Sequence, residues 1–203
     1  VLLGVAGTGA AAALKALGAG IPSSQYDVLR FDAGTAIRLD EHRIQLAVHA
    51  NAAVPVWNKL ASLASPVGTP AWRWLEIAAG VPHITLATQE EFVPQMANLE
   101  LIGGVSFTKG CYVGQEVIVR VMHRGHGRVA RRLVPIVLSG ATVPARGDRV
   151  FAGDREVGEI TSATASPKLG APLALGYVQR DHAAPGTQLT VNGSEARVDQ
   201  AVD

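Results

Sequence analysis

Apolar and polar positions follow one pattern before Arg131 and another after it. Val1-Leu2-Leu3-Gly4-Val5-Ala6 is a continuous apolar run of strand length and reads as a buried strand. The Ala-rich stretch from Gly9 to Leu17 then reads as a helix closed by Gly18 and Gly20. Residues 26–30, 35–39 and 43–48 form short strand-like runs divided by turns containing Asp, Gly and His, which predicts a small antiparallel sheet. Between Asn51 and Ser65, Val56, Trp57, Leu60 and Leu63 recur at helical spacing. A helix capped by Asn51 and finished before Gly68 should therefore lie on that sheet. Thr69-Pro70 opens a further helix that Gly80-Val81-Pro82 stops. Thr88 and Glu91 have the spacing of a capping box, but Pro94 leaves room only for a short or displaced helix.

After Arg131, residues 133–138, 156–161, 173–178 and 188–191 are short β-like runs punctuated by Gly and Pro, which predicts a small β-barrel. The fold class is α+β, with an α+β domain over 1–130 and a C-terminal β-barrel domain over 131–203. Gly7-Thr8-Gly9-Ala10-Ala11-Ala12 imitates a dinucleotide fingerprint, yet no second and third parallel βαβ units follow it.

At 203 residues the chain can bury a core without metals or disulfides. Its one cysteine, Cys111, forms no internal bridge, which suits a reducing cytoplasm. A net charge of +1 gives no global nucleic-acid signal, and no apolar run reaches the roughly 18 residues of a membrane span. There is no initiator Met and the first residues already read as a strand, so an N-terminal part of the domain is expected to be missing.

The densest chemistry lies in Lys109-Gly110-Cys111-Tyr112-Val113-Gly114-Gln115-Glu116, followed by Val117, Ile118 and Val121 at near-helical spacing. This predicts a loop feeding a helix. A helix N-terminus and Lys109 would favour the Cys111 thiolate, and Glu116 would oppose it. Tyr112, Gln115 and Glu116 offer a stacking face, an amide and a carboxylate to a polar heterocycle. The competing reading makes Cys111 a small buried hydrophobe beside turn glycines. Arg120, Arg124, Arg128, Arg131 and Arg132 with His123 and His126 form a basic stripe free of acidic residues, suited to carboxylates or to a solvated face. His123 and His126 lack companions at metal-ligand spacing, so no metal site is expected.

The octapeptide resembles the signature K-G-C-Y-x-G-Q-E of the YgfZ family of folate-binding proteins, and every fixed position matches. Gly80-Val81-Pro82 resembles the family's G-I-P, and the run from Phe92 to Leu99 its F-x-P-Q-x-x-N-L. Gly158-Glu159-Ile160-Thr161-Ser162 and Ala174-Leu175-Gly176-Tyr177-Val178 resemble its closing barrel strands. The resemblance implies an aminomethyltransferase-like folate-binding fold and a cytoplasmic accessory factor. Such a factor serves the maturation or repair of iron–sulfur enzymes, including one that modifies tRNA. Tetrahydrofolate or another folate is the implied ligand, and iron–sulfur client or assembly proteins are the implied partners. Trp72 falls where the family has a folate-associated tryptophan, and Lys109, Tyr112, Gln115 and Glu116 are further folate-binding candidates. Cys111 is the candidate redox or partner-contacting thiol, with no catalytic residue assigned. Related aminomethyltransferases have an R-x-E-x-G motif whose glutamate contacts the pterin. Here that position is Ala78, and the nearest carboxylate is Glu76. This argues against the alternative of a true aminomethyltransferase. A second alternative, an RNA-binding module on the basic stripe, lacks interleaved aromatics.

Overall fold

A computed structural model describes residues 1–86, 88–123 and 129–200, apart from the His123 side chain. The chain divides into two compact units, Val1–Gly68 and Thr69–Asp203.

The first unit is an antiparallel four-stranded sheet in the order β1-β4-β3-β2, built from β1 (Leu2–Ala6), β2 (Val28–Phe31), β3 (Gly34–Arg38) and β4 (Arg43–Val48). Helix α1 (Ala10–Ala16) and helix α2 (Ala53–Ala61) supply Ala10, Ala13, Leu14, Val56 and Leu60 to a core with Val5, Ala36, Ile44, Leu46 and Val48. At the end of α1, Ala19 N–H donates to the Leu14 carbonyl and Gly18 N–H to that of Lys15, with Gly18 at φ 72°. That arrangement satisfies two carbonyls the helix would leave open, and glycine adopts it without a Cβ penalty. β1 pairs antiparallel with β4, which sets the glycines near residue 7 outside any parallel nucleotide-binding unit.

Three sequence-based boundaries need correction here. β2 starts at Val28 rather than Tyr26, because Tyr26 has φ 64° and the Asp27 carboxylate closes a turn on the Ser23 hydroxyl and the Ser24 N–H. Asn51 does not cap α2, since a 3-10 turn over Ala50–Ala52 intervenes and no side chain caps the helix. α2 then ends at Ala61 with only Val56 and Leu60 buried; Trp57 and Leu63 are exposed. Residues four apart share a helix face, and Trp57 is rotated off it.

The second unit carries a closed barrel of six antiparallel strands in the order β10-β5-β8-β7-β6-β9. They are β5 (Arg131–Leu138), β6 (Arg149–Ala152), β7 (Arg155–Ala165), β8 (Pro172–Gln179), β9 (Gln188–Val191) and β10 (Ser194–Val198). Inside lie Val134, Ile136, Val150, Ile160, Ala174, Val178, Val191 and Val198. The outer face is also apolar where Leu133, Leu173, Leu175 and Tyr177 meet Ile77 and Trp74 of helix α3 (Thr69–Ala78), together with Phe92 and Met96. β8 is therefore buried on both sides, which explains its nearly unbroken apolar sequence. Residues 88–101 form turns and no helix. The Thr88 hydroxyl accepts from the Thr85 N–H at 2.8 Å, so it does not act as a helix cap.

Candidate functional site

α3 ends on glycine geometry that shapes the site. Val81 N–H donates to the Glu76 carbonyl and Gly80 N–H to that of Ile77, with Gly80 at φ 67°. The reversal brings His83 back beside the helix. Trp72 and Glu76, four residues apart, share a face of α3. Trp72 Nε1 donates to Glu76 Oε1 at 3.0 Å, and His83 Nε2 lies 2.9 Å from Glu76 Oε2. Glu76 is mostly shielded, with 19% of its side chain exposed against 47% for His83. One carboxylate thus orients an indole and an imidazole. Ala78, two residues before Gly80, instead joins the apolar cluster on the outer barrel wall.

The segment after this turn fastens two other elements. Phe92 lies against the Tyr177 ring, with centroids 4.4 Å apart. Gln95 is fully buried and its Nε2 donates to the Ile118 carbonyl at 3.0 Å. Asn98 Nδ2 donates to the Leu133 carbonyl at 2.6 Å, and Leu133 N–H donates to the Met96 carbonyl. Asn98 sits at φ 56°, a conformation asparagine tolerates better than most residues. The P-Q-x-x-N pattern therefore acts as a clasp between the barrel and helix α4 (Gln115–His123).

The loop from Lys109 to Gly114 feeds α4 as its spacing predicts. Gly114, at φ 85°, makes the last turn before the helix. Cys111 is exposed, so it is not the buried hydrophobe of the competing reading. The Lys109 ammonium lies 4.5 Å from the centroid of the Tyr112 ring, a cation–π contact. Glu116 pairs with Arg120 one turn later on α4, and Gln115 is half-buried with its N–H on the Tyr112 carbonyl. Of the basic stripe, Arg120, Arg131 and Arg132 are described, while Arg124, His126, Arg128 and the His123 side chain lie outside the described residues.

Trp72 and the octapeptide thus belong to the same compact unit, on α3 and at the start of α4. His83 was not singled out by sequence reasoning. Its seven-residue separation from Glu76 gives no helical signal across Gly80.

Residues 131–202 match the family model of the glycine cleavage T-protein C-terminal barrel domain. The tRNA-modifying proteins YgfZ of Yersinia pestis and Yersinia pseudotuberculosis are each 35% identical over 150 residues, or 73% of this chain and 45% of theirs. The chain is a YgfZ homologue. It spans about 45% of the length of these YgfZ relatives. The glycine cleavage system aminomethyltransferase T of Bartonella henselae matches in structure with a TM-score of 0.76, over 98% of this chain and 58% of that one. At 21% identity that likeness establishes the fold, an aminomethyltransferase-like α+β architecture with its C-terminal barrel. No helix among the described residues is long and apolar enough to cross a membrane.

Proposed function

We propose that the chain acts as a folate-binding, YgfZ-type accessory factor that supports iron–sulfur enzymes, including tRNA-modifying ones, in the cytoplasm. The observation that carries this reading is the 35% identity to proteins named for tRNA modification, together with the complete K-G-C-Y-x-G-Q-E octapeptide. In this reading the folate-binding part extends to residue 130 and the barrel begins at Arg131, where the matched barrel domain also begins.

Tetrahydrofolate or a related folate is the proposed ligand. Trp72 would give the pteridine an apolar stacking face, with its N–H already satisfied by Glu76. Tyr112, Gln115, Lys109 and Glu116 would supply polar groups from the loop and first turn of α4, and Cys111 would contact a partner or respond to oxidants. The Glu76 bond that holds the indole in place is what supports a fit to a stacked heterocycle. Ala78 leaves the pterin without a carboxylate at that position, which separates this reading from aminomethyl transfer. When bound, folate would bring its one-carbon chemistry; this chain's residues bind and orient it.

Calorimetric titration with tetrahydrofolate tests the reading. Binding by the wild type, weakened about tenfold or more in Trp72→Ala, supports it, since loss of one stacked ring costs on the order of 1–3 kcal/mol. An absence of binding heat and of any ligand-induced thermal shift overturns it. For the thiol, full rescue of iron–sulfur enzyme activity by Cys111→Ala in cells lacking the protein would remove its proposed role.

A further inference from the structure

Between Trp72 and His83 the side chains offer hydrogen-bond acceptors at two positions, Glu76 and His83. Trp72, Arg73 and Trp74 carry donors alone, and Ala78 has no polar side-chain atom. Glu76 has one oxygen on the Trp72 indole at 3.0 Å and the other on His83 at 2.9 Å, with 19% of its side chain exposed. Little of that carboxylate is left for a ligand. His83 is 47% exposed, and its Nδ1 has no partner among the described residues. A carboxylate only accepts, so the bond at Nε2 fixes the proton of the neutral ring there, and Nδ1 keeps a free lone pair. The turn at Gly80, closed by Val81 N–H on the Glu76 carbonyl, returns the imidazole to α3. One carboxylate therefore ties a free acceptor to the Trp72 ring.

We propose that His83 is a ligand-contacting residue of the Trp72 site, with Nδ1 accepting a hydrogen bond from an N–H donor on the edge of the bound ring. The inference rests on the folate reading and deepens it by naming a group that recognises the pteridine edge. That edge carries an amino group and a ring N–H side by side, and donors deprived of water need acceptors. Trp72 offers a stacking face and no lone pair for them. His83 adds one beside that face, and Glu76 acts as the positioning residue that aims both rings.

Calorimetric titration of the whole chain with tetrahydrofolate at about pH 8, where histidine is ordinarily neutral, compares the wild type with His83→Ala and His83→Lys. The lysine variant can still donate to Glu76 but has no acceptor. Both variants should bind about fivefold more weakly, the effect of losing one neutral hydrogen bond. Wild-type affinity in either variant overturns the contact and leaves the folate reading intact; in His83→Lys alone it would mean that His83 acts only through Glu76. No binding by the wild type overturns the folate reading and this inference with it. Nitrogen NMR of the free protein adds a check that needs no folate. His83 should show a protonated Nε2 and an unprotonated Nδ1, and the opposite tautomer overturns the proposal. On addition of tetrahydrofolate the Nδ1 resonance should move upfield as its lone pair is engaged, and an unmoved resonance at saturation counts equally against it.

Discussion

The Gln95 amide donates to the Ile118 main-chain carbonyl at 3.0 Å across 23 residues of sequence, and Gln95 is fully buried. A turn segment thereby holds the helix that follows the Cys111 loop. The bond is local in space and distant in sequence, so it constrains α4 in a way helix propensity cannot.

Gln95→Ala should lower the stability of the second unit by about 2 kcal/mol, combining a lost hydrogen bond with a small cavity. Urea denaturation measures it as a lower midpoint with an unchanged slope. Proteolytic cleavage within 109–123 should become faster, because α4 loses its fastening.

Asp40 joins β3 to β4 by accepting from the Arg43 Nε at 2.6 Å and from the N–H groups of His42 and Arg43. Burial tends to raise its pKa, but the Arg43 side chain and these N–H donors outweigh that and hold the carboxyl below its usual range. A folded-state pKa below the unfolded one means the stabilisation is complete above about pH 4 and is lost as pH falls through the folded value. Asp40→Asn should therefore be less stable than wild type at pH 7, with the gap in Tm shrinking as the pH drops below about 4.

Glu76→Ala should release both Trp72 and His83. The expected cost is about 1 kcal/mol, as for a partly buried charge-assisted bond, accompanied by a change in tryptophan fluorescence. Glu76→Gln should retain most of the Trp72 contact through its carbonyl oxygen. Equal fluorescence changes in the two variants would contradict the assigned bond.

A Cβ on Gly158 would lie 2.1 Å from the Tyr177 carbonyl oxygen and 3.0 Å from Val178 Cα. Those are backbone atoms of the paired strand β8, which cannot move aside without breaking the ladder. Gly158→Ala should cost about 3 kcal/mol or more and open the barrel, measurable as a loss of cooperative thermal unfolding.

Much of this architecture was legible in the chain. The apolar run at 133–138 became a strand buried at most positions, and Gly18 and Gly80 marked helix ends through the positive φ they supply. The run at residues 1–6 became the end strand of its sheet with only Val5 buried, so its apolar sequence overstated its burial. β6 and β10 escaped notice for physical reasons. Arg149–Ala152 is four residues long, and in Ser194–Val198 only Ala196 and Val198 point inward between charged neighbours. Thr88 misled because its hydroxyl can satisfy a turn as readily as a helix. The candidate site was half visible. The i,i+4 spacing of Trp72 and Glu76 could be read from the sequence, whereas the return of His83 depends on the turn at Gly80 and the Gln95–Ile118 contact on tertiary closure.

β8 serves two cores at once, with Leu173, Leu175 and Tyr177 facing α3 and Ala174 and Val178 facing the barrel interior. Gly176, on the inward side, leaves the space that Ile136 Cδ1 fills, only 2.4 Å from where a Cβ would stand. A slip of one residue would drive the phenol ring into that space and present glycine to the helix. Misalignment during folding is thus punished on both faces together, and the strand with the least polar sequence has the least freedom to choose its neighbours.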